Sequence, residues 1–464
     1  MADTASPLAT VAPAAHPVGE IISLGTPLLI AALFSSTAGV IDTVMMGHYG
    51  TAQLAAVSGA SAIFDLFSSL VLAALIGHQI LASRFAGAGD QNGVQVSLRA
   101  SVRFCGAIAL ALTVLCWVAG GWLTGLVVGP DPQLHHLGAQ YLATRAPTIL
   151  LLVPFGLLAS TFNAHRRTGF ALRAGITVGV LNLVLDLLLI FGFGPLPRWA
   201  VAGNGLATTL SVLVGVLYLG IAGWRGGFSW LSLPPAPVRA PVAFPTSIPR
   251  LAVPAIISTA LDYASTLVFF AILGTAGAAE LAGGRIGFEI LVLAFGLGSS
   301  FAVGGRILIG RALGAGQTGR VRELWRLNQR ILLAPAALVT LLLIGRPGWV
   351  AEAFSSSTAV VAQATKVLPI VGLCTPLIAW SLGNVNQLRA LGRVKQEMWS
   401  NLIAAVVVQL PLAYVFTMVS HGGARGAYLG VLGYWCSRAV FTEVLAHRAV
   451  PRDQIPALEP TTGR

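Results

Sequence analysis

Along its length the chain alternates long apolar runs with short polar stretches. The apolar runs lie near residues 20–44, 54–82, 100–127, 137–162, 170–194, 202–224, 251–274, 284–310, 327–350, 360–386, 398–420 and 426–447. A helix needs about 20 apolar residues to cross the hydrocarbon core of a bilayer. The pattern therefore predicts twelve spanning helices and an all-α, polytopic membrane protein.

The polar stretches carry the basic residues, and they do so in every second loop. Arg84, Arg99 and Arg103 follow the second run, and Arg166, Arg167 and Arg173 follow the fourth. Arg225, Arg239 and Arg250 flank or lie in the segment after the sixth, and Arg311, Arg320, Arg322, Arg326 and Arg330 follow the eighth. Arg389, Arg393 and Lys395 come after the tenth, and Arg448 and Arg452 after the twelfth. The intervening loops hold only isolated cations such as Arg198, Arg346 and Arg425. Positive residues stay on the cytoplasmic side, so both termini are expected there, in the inner membrane of the cell. Trp122, Trp199, Trp224, Trp349 and Trp399 fall near run ends, where an interfacial aromatic belt belongs.

Composition agrees. The 464 residues are 56% hydrophobic and only 9% charged, against about 25% charged in soluble domains. A formal charge of +12 in a soluble protein points to nucleic acid; here it belongs to cytoplasmic loops, and the bilayer is the partner. Cys105, Cys116, Cys374 and Cys436 all lie in apolar runs without a CxxC pair, so packing is expected of them rather than a disulfide frame or a metal site. Residues 1–19 contain no Lys or Arg and read as a disordered cytoplasmic tail, not a cleaved signal. Residues 225–249 hold six prolines and read as a cytoplasmic linker between an N-lobe, 20–224, and a C-lobe, 250–449; residues 450–464 form a second tail.

The lobes are copies. An offset of 227 positions lays Pro27 on Pro254, Gly50 on Gly277, Arg84 on Arg311 and Gly87-Ala88-Gly89 on Gly314-Ala315-Gly316. An offset of 223 lays Asn163 on Asn386, Arg166 on Arg389, Gly169 on Gly392 and Gly203 on Gly426. Six helices per half make the repeats parallel, two six-helix bundles about a pseudo-twofold axis along the membrane normal. Two such bundles enclose a cavity near the midplane, the geometry of alternating access.

Carboxylates inside spans cost roughly 2.5–3.5 kcal/mol each on insertion scales, so each is a functional candidate. Asp42 lies late in the first helix, Asp65 in the second and Asp186 in the fifth; Asn182 is one turn before Asp186, on the same face. With Thr208 of the sixth helix, Asp42, Asn182 and Asp186 offer hard oxygen ligands suited to a proton or a sodium ion. Their repeat partners are Phe269, Ala405, Gln409 and Val431, so the shared fold does not require the polar set. Two nearby carboxyls in a low-dielectric site cannot both ionise cheaply, which is how a coupling proton is held. Asp262 and Glu289 form a second acidic set that attracts a cationic substrate or pairs with Arg285 or Arg306, and Asp65 is a further secondary charge. Phe34, Phe64 and Trp380 are candidate aromatic linings. No phosphate-binding loop, GxSxG or HExxH motif is present, and neither catalysis nor ATP coupling is expected.

The stretch from Pro27 through DTVMMGHYGTAQLAAVS, the repeated SRFAGAGD (83–90) and GRALGAGQ (310–317), VLNLVLD (180–186) and VAGNGLATT (201–209) resembles the multidrug and toxic compound extrusion (MATE) transporters over about residues 20–450. The resemblance implies an antiporter exporting amphipathic, often cationic, organic compounds against H⁺ and/or Na⁺, with no other cofactor, working as a monomer. It implies that Asp42, Asn182, Asp186 and Thr208 form the cation-coupling site. Asp186 is similar to the DinF-like and archaeal branches, and Ile378 stands where the NorM-like branch has an acid in the tenth helix. The rival readings are a lipid-linked saccharide flippase of the same superfamily, a major-facilitator transporter, whose GxxxDRxGRR loop is missing, and a polytopic membrane enzyme.

Overall fold

The computed structural model describes residues 17–129, 131–192, 198–225 and 248–449. The tails at 1–16 and 450–464 and most of the proline-rich linker lie outside the described residues. Every regular element among the described residues is helical. The long helices are α1 Pro17–Tyr49, α2 Thr51–Gly87, α3 Gln91–Val128, α4 Pro132–Ala164, α5 Thr168–Phe191 and α6 Ala200–Arg225. They continue with α7 Ile248–Gly274, α8 Ala278–Gly314, α9 Thr318–Gly345, α10 Thr358–Ala390, α11 Val394–Val419 and α12 Gly423–Ala449. A short helix, Pro347–Phe354, precedes α10.

Eleven of the described helices are long and apolar enough to cross a membrane. The remaining long helix is α12, whose 27 residues suffice for a span but include Arg425, Arg438, Glu443 and Arg448. Of these, Arg438 and Glu443 find partners inside the protein, whereas Arg425 and Arg448 are exposed near the two ends of the helix. The tryptophans expected at the interface are exposed: Trp122, Trp199, Trp224, Trp349 and Trp399 all keep between 43% and 73% of their surface. Cys105, Cys116 and Cys374 are buried as expected, whereas Cys436 is exposed, on the outer face of α12.

The chain divides into two compact units. The first takes α1 from Pro27 onward, α2 to α6, and α7 as far as Ile256; the second takes α1 up to Thr26 and the helices from Ile257 onward. Within the first unit α4 is central, packing against α2, α3 and α6; within the second, α10 packs against α8, α9 and α12. Both central helices carry two interior prolines seven residues apart, Pro147 and Pro154 in α4, Pro369 and Pro376 in α10. A proline inside a helix frees the carbonyl four residues earlier, and in a membrane that oxygen needs another donor. Ala143 O, freed by Pro147, accepts from Trp117 Nε1 at 2.9 Å, and Gly372 O, freed by Pro376, accepts from Thr340 Oγ1 at 2.9 Å.

The repeated GAG turns have a conformational cause. Gly89 and its repeat partner Gly316 adopt φ of 73° and 72° at the ends of α2 and α8, the left-handed region that glycine enters without steric cost. Two further departures from regularity stand out. α2 is interrupted at Leu75, and α11 contains two π-helical stretches, Ile403–Gln409 and Val415–Val419, on either side of Pro411.

Candidate functional site

In the first unit, α1, α4, α5 and α6 bring seven polar side chains together. Asp186 and Asn204 are fully buried, and Asn182 and Asp42 keep 5% and 7% of their surface. Asn204 reaches Asp186 because glycines flank it. Gly203 lies against the Leu189 carbonyl of α5, and Gly205 against the Tyr141 carbonyl and Arg145 nitrogen of α4, where a Cβ would come within 3.1 Å of backbone. The resulting close approach lets Asn204 Nδ2 donate to Asp186 Oδ1 at 3.4 Å. Asn182 Nδ2 donates to Thr208 Oγ1 at 3.4 Å, and Thr208 Oγ1 donates in turn to Asn204 O at 3.3 Å.

Asp42 and Asp186 lie within electrostatic reach of each other and of Arg145. Among the described residues, no N–H or O–H is aimed at Asp42 Oδ1, Asp186 Oδ2 or Asn204 Oδ1, all three buried. Buried oxygens without donors are uncommon, and carboxyl and amide oxygens in that state are acceptors for a proton or a hard cation.

The four residues expected to form the site are thus brought together, and three more join them. Asn204 is one. Arg145 is the second: its Nη1 lies 3.7 Å from Asp42 Oδ2, and its guanidinium sits 4.5 Å above the Phe64 ring and 5.2 Å from the Tyr141 ring. Tyr141, fully enclosed on α4, is the third. Asp65 is on the exposed side of α2, within electrostatic reach of Arg145. An arginine inside the apolar run 137–162 was the signal for Arg145, and the glycine pair around it was the signal for Asn204.

The second unit separates the other two candidates. Glu289 pairs with Arg285, one turn away on α8, at 2.9 Å on a largely exposed face. Asp262 of α7 accepts from Asn401 Nδ2 of α11 at 2.8 Å. Asn401 also donates to Ser258 Oγ at 2.9 Å and accepts from Tyr434 Oη at 2.7 Å and Arg438 Nη1 at 2.6 Å. Arg438 then bonds Glu397 at 3.2 Å, and Arg389 reaches the same oxygen at 3.3 Å. This network is buried and nearly balanced in charge. Trp380 lies elsewhere, donating its Nε1 to Glu443 at 2.7 Å beside Asn384.

Long apolar helices in two repeated units, with carboxyls enclosed within the spans, define a multi-pass membrane transporter. The MatE family model matches residues 27–188 and again 254–415, at the offset of 227 that relates the repeats, and the chain belongs to that family. Its members are transporters, not enzymes. The chain is similar to a probable multidrug resistance protein NorM of Thermotoga maritima, 25% identical over 451 residues covering 91% of this chain and 94% of that one. It is 28% identical over 431 residues to the Pseudomonas aeruginosa protein of the same description, covering 89% and 86%. An outward-facing multidrug resistance MATE family transporter of the MOP superfamily superposes with a TM-score of 0.84 at 18% identity, over 94% of this chain and 96% of that one. A MOP superfamily transporter from Pyrococcus furiosus also gives 0.84 at 18% identity, over 93% and 96%.

Proposed function

We propose that this transporter is an ion-coupled antiporter of the cell inner membrane, exporting amphipathic, often cationic, organic compounds by alternating access as H⁺ and/or Na⁺ enters. The observation that carries the reading is the enclosed set Asp42, Asp186 and Asn204, each with one buried oxygen that no donor reaches. A cation held there neutralises buried charge, and its loss to the cytoplasm changes the electrostatics of α1 against α5 and α6. Such a site gives the two ion-bound states different energies, which is what coupling requires. The names of the relatives, multidrug resistance and multidrug and toxin extrusion proteins, support the substrate class. Asp186 supports a place nearer the DinF-like and archaeal branches than the NorM-like one. The arginine alternation supports cytoplasmic termini, and a single chain suffices as the working unit.

The test is uptake of a fluorescent organic cation into everted vesicles, driven in turn by an imposed proton or sodium gradient. Accumulation that follows one gradient and disappears in Asp42→Asn supports the reading. Accumulation indifferent to both gradients sinks it.

A further inference from the structure

Helix α9 of the second unit carries a face of unpartnered charge. Arg322, Arg326 and Arg330 are all exposed, four residues apart, and span about 12 Å of its first half. The other side of the same turns is buried. Leu324, Trp325, Asn328, Gln329 and Leu332 pack inward, so the arginines are held outward. Among the described residues none of the three guanidiniums has an ion-pair or hydrogen-bond partner. Glu323, exposed at the edge of the face, offsets part of the charge without pairing.

The repeat shows that the shared fold does not require this face. At the offset of 227, Arg322, Arg326 and Arg330 fall on Gln95, Arg99 and Arg103 of α3. There Gln95 is buried and Arg99 half-buried, and only Arg103 is exposed. A basic residue that serves topology alone need only lie in the right loop. These three lie on a helix and point one way. Further along α9 the same side turns apolar. Leu341, 72% exposed, falls within about 100° of Arg322 around the axis and about 17 Å beyond Arg330. That rise is roughly half the hydrocarbon thickness of a bilayer. One side of one helix thus offers fixed positive charge at its end and apolar surface at the depth of lipid chains. Guanidiniums engage phosphate oxygens through forked pairs of hydrogen bonds, and a phospholipid is the molecule that joins a phosphate to chains of that length.

We propose that the face formed by Arg322, Arg326 and Arg330 binds an anionic phospholipid, its phosphate held by the guanidiniums and its chains laid along α9 toward Leu341. The site is independent of the coupling ion and of the exported compound.

The test uses the purified full-length protein in a neutral detergent, stripped of lipid. Binding of radiolabelled phosphatidylglycerol is compared with that of phosphatidylcholine carrying the same chains. Wild type binds phosphatidylglycerol saturably and more tightly than phosphatidylcholine. The combined variant Arg322→Gln, Arg326→Gln, Arg330→Gln loses about tenfold or more in affinity for phosphatidylglycerol, and Arg326→Gln alone about fivefold, the size of effect one basic residue exerts near anionic lipid. The matched control is Arg103→Gln, Arg393→Gln, Arg448→Gln, which removes the same charge from three other exposed positions and keeps wild-type affinity. Equal binding of the two lipids by wild type overturns the proposal, as does an unchanged affinity in the α9 variant or an equal loss in the control. Displacement of phosphatidylglycerol by inorganic phosphate at matched ionic strength also overturns it, because the site would then take a free anion rather than a lipid. If the combined variant does not fold, Arg326→Gln and the wild-type comparison of the two lipids decide.

Discussion

Phe269, the repeat partner of Asp42, is buried edge-on against Tyr428 with ring centroids 5.5 Å apart. Where the first repeat encloses a carboxyl, the second encloses an aromatic pair; Val431, the partner of Thr208, is buried in the same apolar cluster, and Ala405, the partner of Asn182, is buried in another, beside Tyr434. The polar network of the second unit lies at a different depth. Asp262 comes seven residues before Phe269, Asn401 four before Ala405, and Arg438 seven after Val431. Helices α7 and α11 begin, and α12 ends, on the same side, so all three displacements run one way, by one to two turns or up to about 10 Å. The two units share a fold and place their charges differently.

Asp42→Asn and Asp186→Asn are each expected to abolish ion-driven efflux at near-normal protein levels, because an amide neither carries a negative charge nor takes up a proton. Asp262→Asn is expected to be milder, lowering substrate affinity while coupling persists, since Asn401 still bonds Ser258. Efflux in everted vesicles, normalised to protein in the membrane, checks both. Wild-type coupling in both Asp42→Asn and Asp186→Asn would move the site to the second unit.

Glu397 and Glu289 should behave oppositely on truncation. Glu397 is fully enclosed between Arg389 and Arg438, and removing one partner of a buried ion pair costs about 3–5 kcal/mol. Glu289 and Arg285 form an exposed pair, and such pairs contribute about 0–1 kcal/mol. Thermal unfolding in detergent should therefore drop sharply for Glu397→Ala and barely move for Glu289→Ala.

Gly430 lets α12 touch α11. A Cβ there would lie 2.6 Å from Ala413 N and 2.7 Å from Gln409 O, both backbone atoms that cannot step aside. Gly422, Gly426 and Gly430 share a four-residue spacing, the small-residue pattern of close helix pairs in membranes. Gly430→Ala is expected to destabilise by about 1–3 kcal/mol, read as a lower melting midpoint. Gly220→Ala, with nothing within 4 Å, is the matched control and should melt like wild type.

Reporter fusions at residues 95 and 317 are expected to read as cytoplasmic, and fusions at 50 and 280 as periplasmic. The basis is the alternation of arginines between loops. An external location for 317 contradicts both the helix count and the repeat.

Helices and repeat were legible because they depend on local pattern: apolar runs long enough to span, glycines at turns, prolines in register. The carboxyls of the proposed ion site stood out for the same reason, as charges inside apolar runs. Partnerships were not. Asp262 finds Asn401 from 139 residues away, and Asp42 finds Arg145 on another helix, because of which faces the packing brings together. Glu397 reads in sequence as one more charge of a polar loop beside Lys395, and only the approach of α12 reveals it as the centre of a buried network. For Asn204 the sequence carried only an indirect signal, the glycines on either side that press its amide against Asp186.

The charges of α12 bear on how the chain is made. Arg438 alone raises the cost of inserting this helix by about 2.5–3.5 kcal/mol, and its counter-charge, Glu397, belongs to the helix synthesised just before it. α11 is apolar enough to enter lipid unaided, with a mean hydropathy of 2.2 over its best window. During biogenesis the last two helices are therefore expected to leave the translocon as one hairpin, the final span waiting for its partner rather than partitioning alone. Loss of Glu397 would then show first as a C-terminus left on the wrong side of the membrane.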